Sequence, residues 1–314
     1  MTTSSLPSRA VVLESFGGPE VLSVREVPEP TAGPGQLRVR VTAAGLNPMD
    51  WIITADAETA ARFGLNLPCG FGTDYAGVVD QVGAGVNGFA VGDRVFGGAL
   101  SRAVADHVII DVAGTIAAGG DAHHTPDGVD DRTAAVLTIA GCTASAALDV
   151  VRPGAGDTLL VGGAGGGVGV FVVQLARRAG ARVIGTGSAR SADALRALGA
   201  EPVTYGDGLA SRVRDLAPEG VTAAIDLFGT DTVAAARELG VPDDRITTIA
   251  AQVDGITPAN GANAAPGALE EIAGLVARGE LRVPIAAAFP LSDIRTAVEQ
   301  QAGRHVHGKI VIDL

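Results

Sequence analysis

The run Gln36-Leu37-Arg38-Val39-Arg40-Val41-Thr42-Ala43-Ala44-Gly45 alternates apolar and polar residues, so Leu37, Val39 and Val41 share one face, as in a half-buried strand. Ala10-Val11-Val12-Leu13-Glu14, Tyr75-Ala76-Gly77-Val78-Val79-Asp80-Gln81-Val82 and Asp93-Arg94-Val95-Phe96 continue the β pattern between Gly/Pro turns. Many short strands joined in this way predict a small, partly open barrel. From about Asp131 the period changes. Residues 132–150 are alanine-rich and read as a helix, ended by Pro153-Gly154. Strand patterns follow over 158–161, 181–185, 203–205, 223–227 and 246–250, with helices over 167–179 and 191–198. This alternation predicts an α/β domain with a parallel, doubly wound sheet. A helix over 269–277 and a strand over 309–313 read as a return to the first domain. The domains are expected at residues 1–130 with 264–314, and at 131–263.

The strand at 158–161 runs into Gly162-Gly163-Ala164-Gly165-Gly166-Gly167-Val168-Gly169, and the next helix begins there. A glycine turn between strand and helix predicts a dinucleotide site. Backbone N–H groups at the helix start face a pyrophosphate, and small residues let it come close. The spacing is GxxGxxG (Gly163, Gly166, Gly169), and Gly163, Ala164, Gly166, Gly167 and Val168 are the candidate contacts. A tight turn under a helix is the plainer alternative. The end of the second strand of such a unit reads the adenosine ribose, where a carboxylate selects NAD and repels a 2′-phosphate. Here it is Gly185-Thr186-Gly187-Ser188-Ala189-Arg190, with no carboxylate before Asp193. Ser188 donates a hydrogen bond and Arg190 supplies charge-assisted contacts, so NADPH is expected over NADH. The alternative for Arg190 is a solvated residue at a helix start.

Composition narrows the partners. With 314 residues and 47% apolar content, two cores are attainable without disulfides. A net charge of −12 argues against nucleic acid or an anionic membrane as primary partner. Cys69 and Cys142 form no CxxC pair, which excludes a four-cysteine zinc lobe, and two free thiols fit a reducing compartment. No stretch reaches the ~20 apolar residues that span a bilayer. Met1 to Arg9 lack the apolar core of a signal peptide, so the cytoplasm is the expected location.

Several motifs in order carry a resemblance. Ala44-Gly45-Leu46-Asn47-Pro48-Met49-Asp50-Trp51, Gly72-Thr73-Asp74-Tyr75-Ala76-Gly77-Val78-Val79, Val91-Gly92-Asp93-Arg94-Val95, Gly141-Cys142-Thr143-Ala144 and the closing Gly308-Lys309-Ile310-Val311 resemble zinc-independent medium-chain dehydrogenase/reductases of the quinone oxidoreductase type. The resemblance spans nearly the whole chain. It implies a GroES-like, mostly β catalytic domain beside a Rossmann domain, a homodimer, and an NADPH-dependent reduction of a quinone or conjugated enone. Zinc-holding relatives carry a Cys-His pair where this chain has Leu46-Asn47-Pro48-Met49-Asp50, and Gly-His-Glu at Gly70-Phe71-Gly72-Thr73-Asp74. No metal site is therefore expected, and the pair His123-His124 reads as solvated.

Without a Lewis acid, acceptors that delocalise charge are favoured over alcohols. The resemblance makes Asn47, Asp50 and Trp51 the catalytic candidates. Asn47 would orient a substrate carbonyl or serve as a turn residue before Pro48. Asp50 would anchor its loop or relay a proton, and Trp51 would stack on a flat substrate or pack. On the cofactor side it points to Thr143, Tyr205, Phe228, Ala250, Ala251 and Lys309, the last reaching phosphates or lying solvated on its strand. Asn260 and Asn263 sit in a loop able to close over the cofactor. The family's aromatic-rich stretch is Gly97-Gly98-Ala99-Leu100-Ser101-Arg102-Ala103 here, so substrate identity does not carry over. Two other readings stay open: an enoyl-thioester reductase, which needs a pantetheine-sized channel, and a non-catalytic NADPH-binding regulatory protein.

Overall fold

A computed structural model describes residues 7–304 and 306–314. The chain begins with β1 (Pro7–Leu13), β2 (Ser23–Pro28) and β3 (Gln36–Leu46), then the short helices α1 (Pro48–Ile52) and α2 (Ala57–Arg62). There follow β4 (Cys69–Gly70), β5 (Asp74–Val82), β6 (Arg94–Gly98), β7 (His107–Asp111), β8 (His123–His124) and α3 (Asp131–Ala134). After α4 (Thr138–Val151), strand and helix alternate through β9 (Thr158–Gly162), α5 (Gly169–Arg178), β10 (Arg182–Gly187), α6 (Ala192–Leu198), β11 (Glu201–Thr204) and α7 (Leu209–Leu216). They continue through β12 (Ala223–Asp226), α8 (Asp231–Glu238), β13 (Ile246–Thr248), β14 (Thr257–Pro258) and α9 (Ala268–Ala277). The chain ends with β15 (Ile285–Pro290), α10 (Ile294–Ala302) and β16 (Lys309–Asp313).

Two compact units result: Met1–Ile139 with Ile285–Leu314, and Ala140–Pro284. The expected boundaries at 131 and 264 are thereby corrected. Helix α9 does not return to the first unit. Its Leu269, Ile272, Ala273 and Leu275 are buried, and Ile272 lies over Gly141 of α4, where an added Cβ would come within 3.2 Å of it. The helix expected over 132–150 is two helices. Val136 and Leu137 donate to the carbonyls of Thr133 and Ala134, closing tight turns between α3 and α4. The carbonyl of Ala135 at this break lies so close to Gly45 of β3 that a Cβ there would meet it at 2.1 Å.

In the first unit the main sheet runs β15-β16-β3-β5-β6-β8, with β7 also pairing β3, and a second sheet runs β2-β1-β4. Strand β3 is central. Leu37, Val39 and Val41 are buried against Tyr75, Val79, Val95 and Ile110, while Ala44 and Leu46 join a second cluster with Ile310, Ile312, Ile294 and Val298. Arg38, between the apolar positions, reaches Asp80 at 2.8 and 3.0 Å. In the second unit the order is β11-β10-β9-β12-β13-β14, all parallel. This is the doubly wound order in which β9 is the first strand and direction reverses between β9 and β12. Ligands of such sheets sit at the carboxyl ends of the strands around that reversal.

Candidate active site

The glycine turn leaves β9, whose Leu159, Leu160 and Val161 are fully buried. Gly163 adopts φ +69°, open to glycine at little cost, and its N–H donates to Thr186 Oγ1 at 3.0 Å, tying the turn to β10. Gly166 N–H donates back to the Gly163 carbonyl at 3.0 Å. At Gly169 a Cβ would stand 2.4 Å from the Gly163 carbonyl oxygen and 2.5 Å from that of Ala164, so only glycine lets α5 start against the turn. The Ala164 methyl is buried facing Gly185, and the residue as a whole is buried. Gly167 and Val168 are half-buried just before α5. N–H groups there lack partners within the helix and carry its positive end, which suits an anion.

The other carboxyl ends supply the remaining candidates. Beyond β10, Ser188 is half-buried and its hydroxyl meets Ser191 Oγ at 3.3 Å. Arg190 is exposed, and its guanidinium makes no hydrogen bond or ion pair among the described residues. Asp193 is exposed and held by Arg196 at 2.8 Å. Tyr205, just past β11, donates its N–H to Gly187 at 3.4 Å, which puts it beside the end of β10. Tyr205 and Phe228 are 56% and 57% exposed, and no other large hydrophobic residue of the second unit is as open. Phe228 follows β12 and borders Gly163, where a Cβ would lie 3.3 Å from its own. Ala250 and Ala251 follow β13, and Ala250 N–H donates to Thr248 Oγ1 at 3.1 Å. Thr143 on α4 borders Gly261 of the 260–263 segment, where a Cβ would come 2.9 Å from its hydroxyl. Asn260 caps that segment by accepting from Ala262 N–H at 3.0 Å.

Sequence reasoning passed over Asp226. Its buried carboxylate accepts from the N–H groups of Phe228, Gly229 and Thr232 at 3.0, 2.9 and 2.9 Å. One side chain thus folds the Phe228 loop and caps α8. The signal was present: an aspartate closing an apolar strand, three residues before a glycine, is an Asx-turn pattern.

Two of the three catalytic candidates, Asn47 and Asp50, meet in a buried polar cluster. Asn47 leads into α1, and its N–H donates to Asp50 Oδ2 at 2.8 Å, one half of a capping box. Thr73 Oγ1 donates to Asp50 Oδ1 at 2.7 Å. Asn47 Nδ2 donates to Asp74 Oδ2 at 3.0 Å, and Lys309 Nζ donates to Asn47 Oδ1 at 2.6 Å. An ammonium only donates, so Lys309 fixes which end of the amide is oxygen. Asp74 Oδ1 accepts from Ile139 N–H at 3.1 Å, and its Oδ2 lies 3.9 Å from Lys309 Nζ. All five side chains belong to residues at most 3% exposed. Burial pushes Asp50 up to about 6, against the Thr73 hydroxyl, the Asn47 N–H and Lys309, which favour the charged form. Burial likewise raises Asp74 to about 7, opposed by Lys309 and Asn47 and reinforced by Asp50. Burial lowers Lys309, against the pull of both carboxylates.

Lys309, expected at a cofactor phosphate or solvated on its strand, therefore has its ammonium inside this cluster. Trp51 packs on the core cluster of β3 and β16, and its indole N–H donates to Gln301 Oε1 at 3.1 Å. Thr73 and Asp74 had no assigned role. A carboxylate just before the apolar run Tyr75–Val79 was the cue available.

The histidine pair, read as a solvated loop, forms β8. His124 stacks on Phe89 with ring centroids 4.7 Å apart, and His123 tilts against Phe96. Among the described residues no group of three or more His, Cys, Asp or Glu could hold a metal ion, and neither Cys69 nor Cys142 is in a disulfide. No helix among them is long and apolar enough to cross a membrane.

Comparison with known proteins bears on this arrangement. Residues 33–108 match the alcohol dehydrogenase GroES-like domain, and residues 167–273 match the family described as zinc-binding dehydrogenase. A quinone oxidoreductase of Pseudomonas aeruginosa is 30% identical over 97% of this chain and 99% of its own length. The solved quinone oxidoreductase of Coxiella burnetii superposes with a TM-score of 0.86 at 28% identity, covering 98% of this chain and 100% of that one. A mycobacterial protein solved in complex with NADPH gives 0.83 at 25% identity, over 98% and 100%. The chain therefore belongs to the medium-chain dehydrogenase/reductase family of oxidoreductases, and within it to the quinone oxidoreductase type.

Proposed function

We propose that this protein is an NADPH-dependent reductase that passes hydride to a quinone or a conjugated enone without a metal. The observation that carries the reading is the ribose end of the parallel sheet. Ser188 and the unpartnered Arg190 stand there, while the nearest following carboxylate, Asp193, is exposed and paired with Arg196. A 2′-phosphate would meet a hydroxyl and a cation, whereas a bare 2′-hydroxyl would lack the carboxylate that NAD sites offer. The relative solved with NADPH supports the same choice.

The nicotinamide cofactor, when bound, supplies the hydride. This chain's residues hold and orient. The N–H groups around Gly167 and Val168 hold phosphates, Tyr205 and Phe228 offer rings along the nucleotide, and the small Ala250 and Ala251 leave room for close approach. Asn47, with one Nδ2 hydrogen beyond that given to Asp74, is the side chain proposed to orient a substrate carbonyl. The donor set offers no site for a Lewis acid among the described residues, which favours acceptors that spread charge. A cytoplasmic homodimer completes the proposal, its two cysteines, neither in a disulfide, suiting a reducing compartment.

The test is NADPH oxidation followed spectrophotometrically across a panel of quinones, conjugated enones and enoyl thioesters. Turnover with the first two classes is the expected result. Turnover with thioesters alone replaces the substrate class. Tight NADPH binding with no turnover on any of them overturns the enzymic reading in favour of a regulatory one.

A further inference from the structure

Tyr205 is exposed, yet one side chain holds the bend that carries it. Arg212, in the first turn of α7, turns its guanidinium back into the bend between β11 and α7. Nε and Nη2 donate to the Thr204 carbonyl at 3.1 and 2.8 Å. Nη2 also reaches the carbonyls of Tyr205 and Gly206 at 3.2 and 3.0 Å, and Nη1 that of Asp207 at 2.6 Å. Four consecutive carbonyls thus point at one cation. The bend needs two left-handed residues to achieve this, Gly206 at φ +88° and Gly208 at φ +75°. All of these contacts are to backbone, and no carboxylate pairs with Arg212 among the described residues.

A guanidinium with five donors in a fixed plane is suited to collecting several carbonyls at once, and a lysine ammonium is not. With four carbonyls turned inward, the one large side chain of the loop faces out. That side chain is Tyr205, and its N–H bond to Gly187 sets it beside the ribose end. We infer that Arg212 is a positioning residue for nucleotide recognition: it fixes the Thr204–Gly208 bend so that the Tyr205 ring presents a stacking face to the adenosine 2′-phosphate end of the cofactor. The inference rests on the NADPH reading above and deepens it.

The test uses the whole chain and 2′,5′-ADP, which carries the adenosine and its 2′-phosphate but no nicotinamide, with binding measured by calorimetry. Arg212→Met is expected to weaken binding about tenfold, the scale of losing one ring stacked on a base, and Tyr205→Ala about the same. Arg212→Lys restores little of that loss. Tyr205→Phe stays within about twofold of wild type, because the ring and not the hydroxyl is needed. The deciding measurement is the double variant. If Arg212 acts through Tyr205, Arg212→Met in the Tyr205→Ala background adds little further loss. Losses that multiply, or an Arg212→Met protein that binds as wild type does, overturn the inference while leaving the cofactor reading intact. Wild-type protein that binds neither 2′,5′-ADP nor NADPH overturns the cofactor reading itself. Melting temperatures of all variants, expected to fall by only a few degrees, separate positioning from loss of fold.

Discussion

Arg190 and Lys309 show how differently two cations of one chain are used. Arg190 stands in solvent, with no acidic partner among the described residues. Its replacement by alanine is expected to raise KM for NADPH about tenfold or more, with KM for NADH changing less than about twofold. Steady-state kinetics with the two nucleotides check this, and equal effects on both would remove Arg190 from the 2′-phosphate. Lys309 is the opposite case, a buried donor between Asn47 and Asp74. Lys309→Met leaves buried carboxyl groups without their cation and is expected to cost about 3 kcal/mol of stability, read from denaturant unfolding. The place of Arg190, exposed just past the end of β10, was legible from its neighbours in sequence, because a strand end is a local signal. The place of Lys309 was not. Its partners are brought together by pairing of strands far apart in the chain, Lys309 standing 262 positions after Asn47, and no local pattern encodes that.

The polar cluster and the glycine turn belong to the scale of elements. Strands β3, β5 and β16 and helix α1 enclose two carboxyls and one ammonium. Full ionisation would leave a net negative charge in the interior, and burial raises both acids from 3.8 toward about 6 for Asp50 and about 7 for Asp74. Between these values and 3.8 the folded chain binds more protons than the unfolded one, so the stability from these groups is fully present below about pH 4 and is lost as pH rises through 6 to 7. The stability advantage of wild type over Asp74→Asn should therefore shrink between pH 5 and pH 8, as measured by thermal melts in matched buffers. An advantage that grew with pH would mean the cluster is ionised throughout. For the turn, Gly169→Ala is expected to lower stability and abolish 2′,5′-ADP binding, since its Cβ would collide with two carbonyl oxygens. Gly229→Ala is the control, with nothing within 4 Å of its Cβ. The strand–turn–helix unit was readable because its glycines and its apolar run are contiguous. Helices α7, α8 and α10 escaped a sequence reading because each is short and buries only three or four residues on one face, too few positions to declare a period.

At the scale of the whole molecule the two units differ in how the chain builds them. The second is continuous, Ala140–Pro284, and expressed alone it is expected to unfold in a single cooperative transition by circular dichroism. A non-cooperative melt would show that it needs the rest of the chain. The first unit is interrupted, and deleting Ile285–Leu314 should leave it without a cooperative transition, because Leu291, Ile294, Val298, Ile310 and Ile312 come from that segment. Two domains of different texture were visible in the sequence. The placement of α9 was not, because a helix's apolar stripe does not name the surface it covers. The interruption bears on synthesis. Strand β16 lies between β15 and β3 in the sheet, so on the flank of β3 away from β5, where β7 covers only Gln36–Arg40, the Ala43–Leu46 end has no neighbour until Lys309–Asp313 has left the ribosome. The second unit, Ala140–Pro284, completes before the first although the first is begun earlier, inverting the usual vectorial order. Throughout that interval the nascent chain carries an open β edge, which makes the early part of this protein a natural client for co-translational chaperones.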